Sequence, residues 1–316
     1  MTSKKLSIKH LTGLEGVPAR DITTLLDTAE TFREILERPI KKVPTLTGVT
    51  VVNFFYEAST RTRLSFELAE KRLSADIVNF STSISSVKKG ETLKDTIRNI
   101  EAMKIDMVVI RHSHAGAADY LARVTDAVIL NAGDGCHEHP TQGLLDLLTM
   151  RQHLKRSFKG LRVVMIGDFR HSRVIRSDIW GLKALGASVA VCAPPSLMPP
   201  GAEAFGIDLY DDLDEALEGA DVANVMRIQL ERQEGGLIPS LREYNRTFGI
   251  TRERLRRPGV KKDLMIMHPG PINRGVEIDT DIADGPQSVI LRQVTNGVAV
   301  RMAALVLLAP QKERGE

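Results

Sequence analysis

The sequence predicts an α/β protein made of two doubly wound parallel-sheet domains, and three observations carry that expectation. Apolar, β-branched runs alternate with helix-patterned segments along the chain, the order that builds parallel sheets with crossover helices. The 316 residues are long for one core and suit two domains of roughly 150 residues each. Two separate strand and helix runs are visible, the second opening at Arg162. Hydrophobic residues at 42% and charged residues at 26% supply the cores and leave no sign of a disordered tail.

Taken in order, the first run has strands near 49–55, 76–80, 107–111 and 127–131. The first of them, Val51-Val52-Asn53-Phe54-Phe55, has the β-branched and aromatic content of a buried strand. Helical patterns between the strands include 63–73 and 92–103. A helix from about 141 to 154 carries Leu144, Leu145, Leu147 and Leu148 and leads out of the first domain. The second run starts with 162–168, a strand ending in a Gly-Asp turn, and continues with strands at 188–192, 222–226 and 264–267. The stretch 233–258 is polar, charged and glycine-containing, a composition that can include a mobile loop beside a site. Residues 298–308 are apolar at helical spacing, so a C-terminal helix, about 291–312, is expected to pack back on the first domain. The expected domains are thus 1–150 and 151–290.

Composition removes several function classes. A formal charge of +3 and 4% aromatic residues give little basis for binding nucleic acid. The basic start is not followed by the apolar run of a signal peptide, and no 18-residue apolar stretch is found by reading along the chain, so a cytoplasmic protein with no membrane partner is expected. Cys136 and Cys192 are far apart and fit no metal or disulfide pattern. Small anionic molecules are the expected ligands.

Candidate chemistry sits where strands end. Ser59-Thr60-Arg61-Thr62-Arg63 crowds hydroxyls and guanidiniums where a strand hands over to a helix, with Ser59 or Thr60 expected as the cap. Helix N–H groups, hydroxyls and the Arg61 fork together suit a phosphate, although a single capped helix with solvated arginines has the same parts. The loop 81–90, with Ser85, Lys88 and Lys89, lacks the order of a P-loop and by itself reads as solvated. Arg111 ends an apolar strand, where a ligand arginine is useful. In His137-Glu138-His139-Pro140-Thr141-Gln142 the spacing is not that of a zinc helix; a neutral His139 can instead donate to a carbonyl oxygen gaining charge, with Gln142 one helical turn on. His268-Pro269-Gly270-Pro271 is a rigid loop suited to a cis bond and to carbonyls aimed inward, or simply a stiff turn. Arg173, Arg227 and Gln229 are expected along one edge of the second sheet, giving a carboxylate site to complement the phosphate site.

In order and spacing, the STRTR segment, His139-Pro140-Thr141-Gln142, Arg227-Ile228-Gln229 and His268-Pro269-Gly270-Pro271 resemble the aspartate/ornithine carbamoyltransferase superfamily over nearly the whole chain. The arginine-glutamine pair and the HPGP loop resemble its aspartate branch, since the ornithine branch typically carries a cysteine in an HCLP loop. Gly270 departs from the leucine of some members, a change that a backbone carbonyl contact survives. The resemblance implies two domains with the active site in the cleft between them, closing over both ligands, the first binding carbamoyl phosphate and the second aspartate. It implies transfer of the carbamoyl group to L-aspartate, giving N-carbamoyl-L-aspartate and phosphate, the committed step of de novo pyrimidine (UMP) biosynthesis, without metal or cofactor. Ser59, Thr60, Arg61, Thr62 and Arg111 would hold the phosphate. Ser85 and Lys89 would reach a neighbouring subunit's site, making a homotrimer the working unit, extended in some members to hexamers or dodecamers with dihydroorotase or regulatory chains. Thr62, Arg111 and His139 would polarise the carbonyl, and Gln142 with the Gly270-Pro271 turn would orient the carbamoyl nitrogen. Arg173, Arg227 and Gln229, with Lys89, would take the aspartate carboxylates. An ornithine acceptor would want carboxylates where Arg173 and Arg227 stand, and a non-catalytic scaffold would lack Arg61, Lys89 or His139.

Overall fold

The computed structural model describes residues 6–81, 91–229 and 236–310. The chain divides into two compact units, one formed by Met1–Leu148 and Thr295–Glu316, the other by Thr149–Val294.

The first unit runs α1 (Ala19–Leu36), β1 (Thr50–Phe55), α2 (Thr60–Arg72), β2 (Asp76–Ser81), α3 (Leu93–Ala102), β3 (Met107–His112), α4 (Ala117–Val124), β4 (Val128–Asp134) and the start of α5 (Pro140–Leu154). Its sheet has the order β2-β1-β3-β4 with every pairing parallel. Parallel strands covered on both faces read as continuous apolar runs, which is why Val51, Val52 and Phe54 in β1 and Val108, Val109 and Ile110 in β3 are all buried. One core layer joins Val52, Phe54, Val108, Ile110 and Ile129 to Ile97 and Ile100 of α3 and Leu121 of α4.

The second unit runs β5 (Arg162–Ile166), α6 (Arg173–Ala184), β6 (Ser188–Cys192), β7 (Asp208–Tyr210), α7 (Leu213–Leu217), β8 (Val222–Val225), α8 (Leu241–Phe248), α9 (Arg252–Leu255), β9 (Met265–Met267), α10 (Thr280–Ala283) and the start of α11 (Ile290–Leu308). Its sheet is β7-β6-β5-β8-β9, again all parallel. The edge strand β7 has only three residues, too few for a period to show in the sequence.

The described part of the stretch 233–258, residues 236–258, carries two short helices, α8 and α9, capped by the Ser240 and Thr251 hydroxyls, and Tyr244, Phe248 and Ile250 are buried in the core. One expectation changes. Helix α11 is long and apolar enough to meet the length and composition test for a membrane span, yet 67% of that window is buried within the protein, as in a core helix.

Candidate active site

Each sheet reverses its strand order once, between β1 and β3 in the first and between β5 and β8 in the second. Connections leaving the carboxyl ends of the two strands at such a point diverge to opposite sides and leave a crevice, where open α/β sheets take ligands. The residue groups expected to bind anions follow β1, β3, β5 and β8.

In the first unit, Ser59 occupies the backbone cap position of α2, with its carbonyl accepting the Arg63 N–H at 3.2 Å. Its hydroxyl, expected to cap the helix, makes no capping bond, and no acidic residue stands in the first turn. A helix N-terminus of that kind favours an anion electrostatically. Thr60 and Arg61 are exposed and Ser59 and Thr62 half-buried, so the cradle faces outward. Arg63 turns away into an ion pair with Glu67 at 3.0 Å. Arg111 lies opposite Phe55 in the β1–β3 register, which brings it beside the cradle. Its guanidinium donates to the Ala132 carbonyl at 3.1 Å and to Glu57 at 2.6 Å, fixing a 9% exposed cation. Glu57 was not foreseen; it stands 54 positions from Arg111, and nothing local in the sequence pairs them.

His139 is 4% exposed and precedes α5, its carbonyl closing the first turn by accepting the Gln142 and Gly143 N–H groups. Gln142 in turn donates to Asp146 at 3.1 Å, which holds its amide in one orientation. The preceding turn is held by Asp134, which accepts from Asn131, Gly116 and the Glu138 N–H and pairs with His137 at 3.2 Å. That bond, together with the charges of Asp134, Glu138 and Asp119, raises the His137 pKa above its ordinary value. Ligand atoms of Glu15, His137 and Glu138 lie within 4.8 Å of one another. The Glu138 carboxylate already accepts the Leu14 and Glu15 N–H groups, so this cluster is accounted for as the tie between the N-terminal segment and the turn. Ser85 and Lys89 lie outside the described residues.

In the second unit, Gly167 after β5 has φ +122°, and a Cβ there would stand 2.9 Å from the Met226 carbonyl at the end of β8. A side chain has no room, so the β5 and β8 connections approach closely. Asp168 then accepts the His171 N–H and pairs with the His171 ring at 2.8 Å, shaping the turn into α6. Ser172 caps α6 by accepting the Ile175 N–H, and Arg173, 6% exposed, is the first helical residue. Gln229 donates to the His171 carbonyl at 3.2 Å, joining the β8 connection to the β5 turn. Arg227 is half-buried on that same connection. Arg173, Arg227 and Gln229 thus all lie on the connections that leave β5 and β8.

The loop after β9 contains the cis bond expected of it, at Gly270-Pro271. His268 Nδ1 accepts the Gly270 N–H at 2.8 Å, so the proton sits on Nε2, which donates to Glu277 at 3.1 Å. Glu277 also accepts the Asn273 N–H at 2.6 Å, so one buried carboxylate braces both ends of the turn. Like Asp146, Glu277 was not singled out in the sequence, where neither belongs to a motif.

Two adjacent family profiles match the chain: "Aspartate/ornithine carbamoyltransferase, carbamoyl-P binding domain" over residues 9–152 and "Aspartate/ornithine carbamoyltransferase, Asp/Orn binding domain" over residues 159–308. The aspartate carbamoyltransferase catalytic subunit of Gemmatimonas aurantiaca is 62% identical over 304 residues, covering 96% of this chain and 94% of its own length. That of Syntrophotalea carbinolica is 57% identical over 301 residues, 95% of each chain. Among solved structures, Trypanosoma cruzi aspartate transcarbamoylase in complex with N-(phosphonacetyl)-L-aspartic acid superposes with TM-score 0.85 at 31% identity, covering 97% of both chains. Ornithine carbamoyltransferase from Pyrococcus furiosus gives TM-score 0.83 at 28% identity, covering 96% of this chain and 98% of that one.

Proposed function

The chain belongs to the aspartate/ornithine carbamoyltransferase family, and from that premise we infer that it transfers the carbamoyl group of carbamoyl phosphate to the amino group of L-aspartate, releasing phosphate. The observation that carries this reading is the pairing of two cationic groups at two switch points: Arg61 with Arg111 in one unit, Arg173 with Arg227 in the other. Both substrates are anions. Two arginines in the acceptor site suit the two carboxylates of aspartate and oppose the ammonium of ornithine.

The proposed roles are those that the family resemblance implies, supported by where the residues stand in each unit. Ser59, Thr60, Arg61 and Thr62 take the phosphate oxygens at the α2 N-terminus, with Arg111 as the second cation. His139, Thr62 and Arg111 donate to the carbamoyl oxygen, where negative charge builds as the aspartate amine attacks. Loss of one such donor typically costs about 2.7–4 kcal/mol of transition-state stabilisation. Gln142, steadied by Asp146, and the Pro271 carbonyl after Gly270 orient the carbamoyl nitrogen. Arg173, Arg227 and Gln229 hold the aspartate carboxylates, and Ser85 and Lys89 are assigned to a neighbouring copy's site in a homotrimer. The tetrahedral intermediate then collapses with phosphate as the leaving group, so positioning and charge stabilisation carry the catalysis. The reaction belongs to pyrimidine biosynthesis. Both cysteines are free thiols, which suits a reducing compartment, and the proposal places the enzyme in the cytoplasm.

Phosphate release and carbamoyl product, measured with carbamoyl phosphate and either L-aspartate or L-ornithine, test the reading. Product with aspartate alone is expected; product with ornithine alone would overturn the acceptor assignment.

A further inference from the structure

Helix α11 carries Arg301 into the interior of the first unit, where it is 4% exposed. Its Nη1 donates to the Ser65 hydroxyl at 3.0 Å and to the Gly297 carbonyl at 2.9 Å. The guanidinium lies over the Phe66 ring, 5.0 Å from its centroid. Ser65 and Phe66 belong to α2, one turn beyond Arg61 and Thr62, so α11 grips the helix whose N-terminus forms the phosphate cradle.

The packing leaves no slack at this junction. A Cβ on Gly297 would stand 2.6 Å from Arg301 Nη1, 3.2 Å from Leu145 of α5 and 3.8 Å from the Ser65 hydroxyl. Glycine inside a helix costs about 1 kcal/mol against alanine, and here it makes room for the arginine. A buried guanidinium is itself expensive, several kcal/mol before compensation. The Ser65 and Gly297 acceptors are neutral, Asp146 of α5 favours the cation, and Arg111 opposes it. Burial above all, then the Arg111 charge, brings the Arg301 pKa down to about 10, so it stays a cation at neutral pH. A stability role alone would be met by an apolar side chain of similar size. An anion held by Arg111 gains attraction from both guanidiniums and offsets their mutual repulsion.

Resting on the carbamoyl transfer assigned above, we propose that Arg301 is a positioning residue for the phosphate end of carbamoyl phosphate: it fixes the first turns of α2 through Ser65 and Phe66 and supplies a buried positive charge within electrostatic reach of Arg111. It does not touch the substrate. Its effect falls on binding of the phosphate group, not on the acceptor.

The test uses the full chain and its Arg301→Met, Arg301→Lys and Gly297→Ala variants. Inorganic phosphate binding is read by calorimetry, and initial rates give KM for each substrate. Arg301→Met is expected to weaken phosphate binding and raise the carbamoyl phosphate KM by about tenfold or more, with the aspartate KM at saturating carbamoyl phosphate changed less than about twofold. Arg301→Lys keeps the charge without the fork and recovers part of the loss. Gly297→Ala keeps the charge but displaces Nη1, and it weakens phosphate binding without loss of folded protein. If Arg301→Met fails to fold, the other two variants decide. Wild-type phosphate affinity in Arg301→Lys and Gly297→Ala, or an equal rise in both KM values, would overturn the proposal. A wild-type chain that binds no phosphate would instead overturn the functional reading of the site, and this proposal with it.

Discussion

Arg61 stands exposed in the first turn of α2, a turn that carries no acidic residue, which suits it to an incoming phosphate. Arg61→Ala is expected to lower kcat/KM for carbamoyl phosphate by about 100-fold or more, since a desolvated charge-assisted contact is worth about 1.5–3 kcal/mol and the fork makes two. Initial rates against carbamoyl phosphate check this, and near-normal turnover at ordinary substrate levels would contradict it. Arg227→Ala should act on the other substrate, raising the aspartate KM by about 100-fold with phosphate affinity unchanged. An unchanged aspartate dependence would point to another acceptor. Glu57 and Asp146 show what the sequence hides at this scale. Each orients a site residue, Arg111 and Gln142 respectively, but Glu57, 54 positions from its partner, carries no local mark of the pairing, and Asp146, one helical turn from Gln142, belongs to no motif.

The elements were legible wherever burial on both faces imposes a continuous pattern. Strands β1, β3, β5 and β8 fall within a residue or two of the expected ranges because every position in them is buried, apart from one terminal residue in each of β1, β3 and β5. Helix α8 was not read from the sequence because eight residues cover barely two turns, and a polar majority hides the two buried aromatics, Tyr244 and Phe248. Helix α2 also hides a titrating group. Glu70 is fully buried and accepts from Asn53 at 2.7 Å, while its other oxygen and the Asn53 carbonyl oxygen both lack a donor. A proton on Glu70 supplies one, and burial raises its pKa from 4.5 to about 7. The folded state therefore holds this proton more tightly than the unfolded chain. Its contribution is complete below pH 4.5 and is lost as pH rises to about 7, by up to about 3 kcal/mol. Glu70→Gln keeps a donor at every pH, so its urea midpoint should exceed the wild type's at pH 8 and lose this part of the pH dependence. A wild-type-like slope between pH 5 and 7 would contradict the assignment. At the start of α6, Ser172→Ala removes the cap before Arg173 and should cost about 1 kcal/mol of stability by thermal unfolding.

At the scale of the whole molecule, two parallel sheets of different strand number each place cationic loops at their own switch point, one group suited to a phosphate and the other to two carboxylates. This was the part most legible in the sequence, because strand ends are marked by the change from apolar runs to Ser, Thr, Arg and His. Assembly is the least legible part, since the segment assigned to a neighbouring copy has only its lysines and serines to speak for it. If sites are shared, Lys89→Ala and His139→Ala chains, each inactive alone, regain activity when unfolded together and refolded as a mixture; no recovery would exclude sharing. The central claim is the acceptor. With purified chain and carbamoyl phosphate, formation of N-carbamoyl-L-aspartate with stoichiometric phosphate, and no product from L-ornithine, is the predicted result, and citrulline formed in place of carbamoyl aspartate would contradict it.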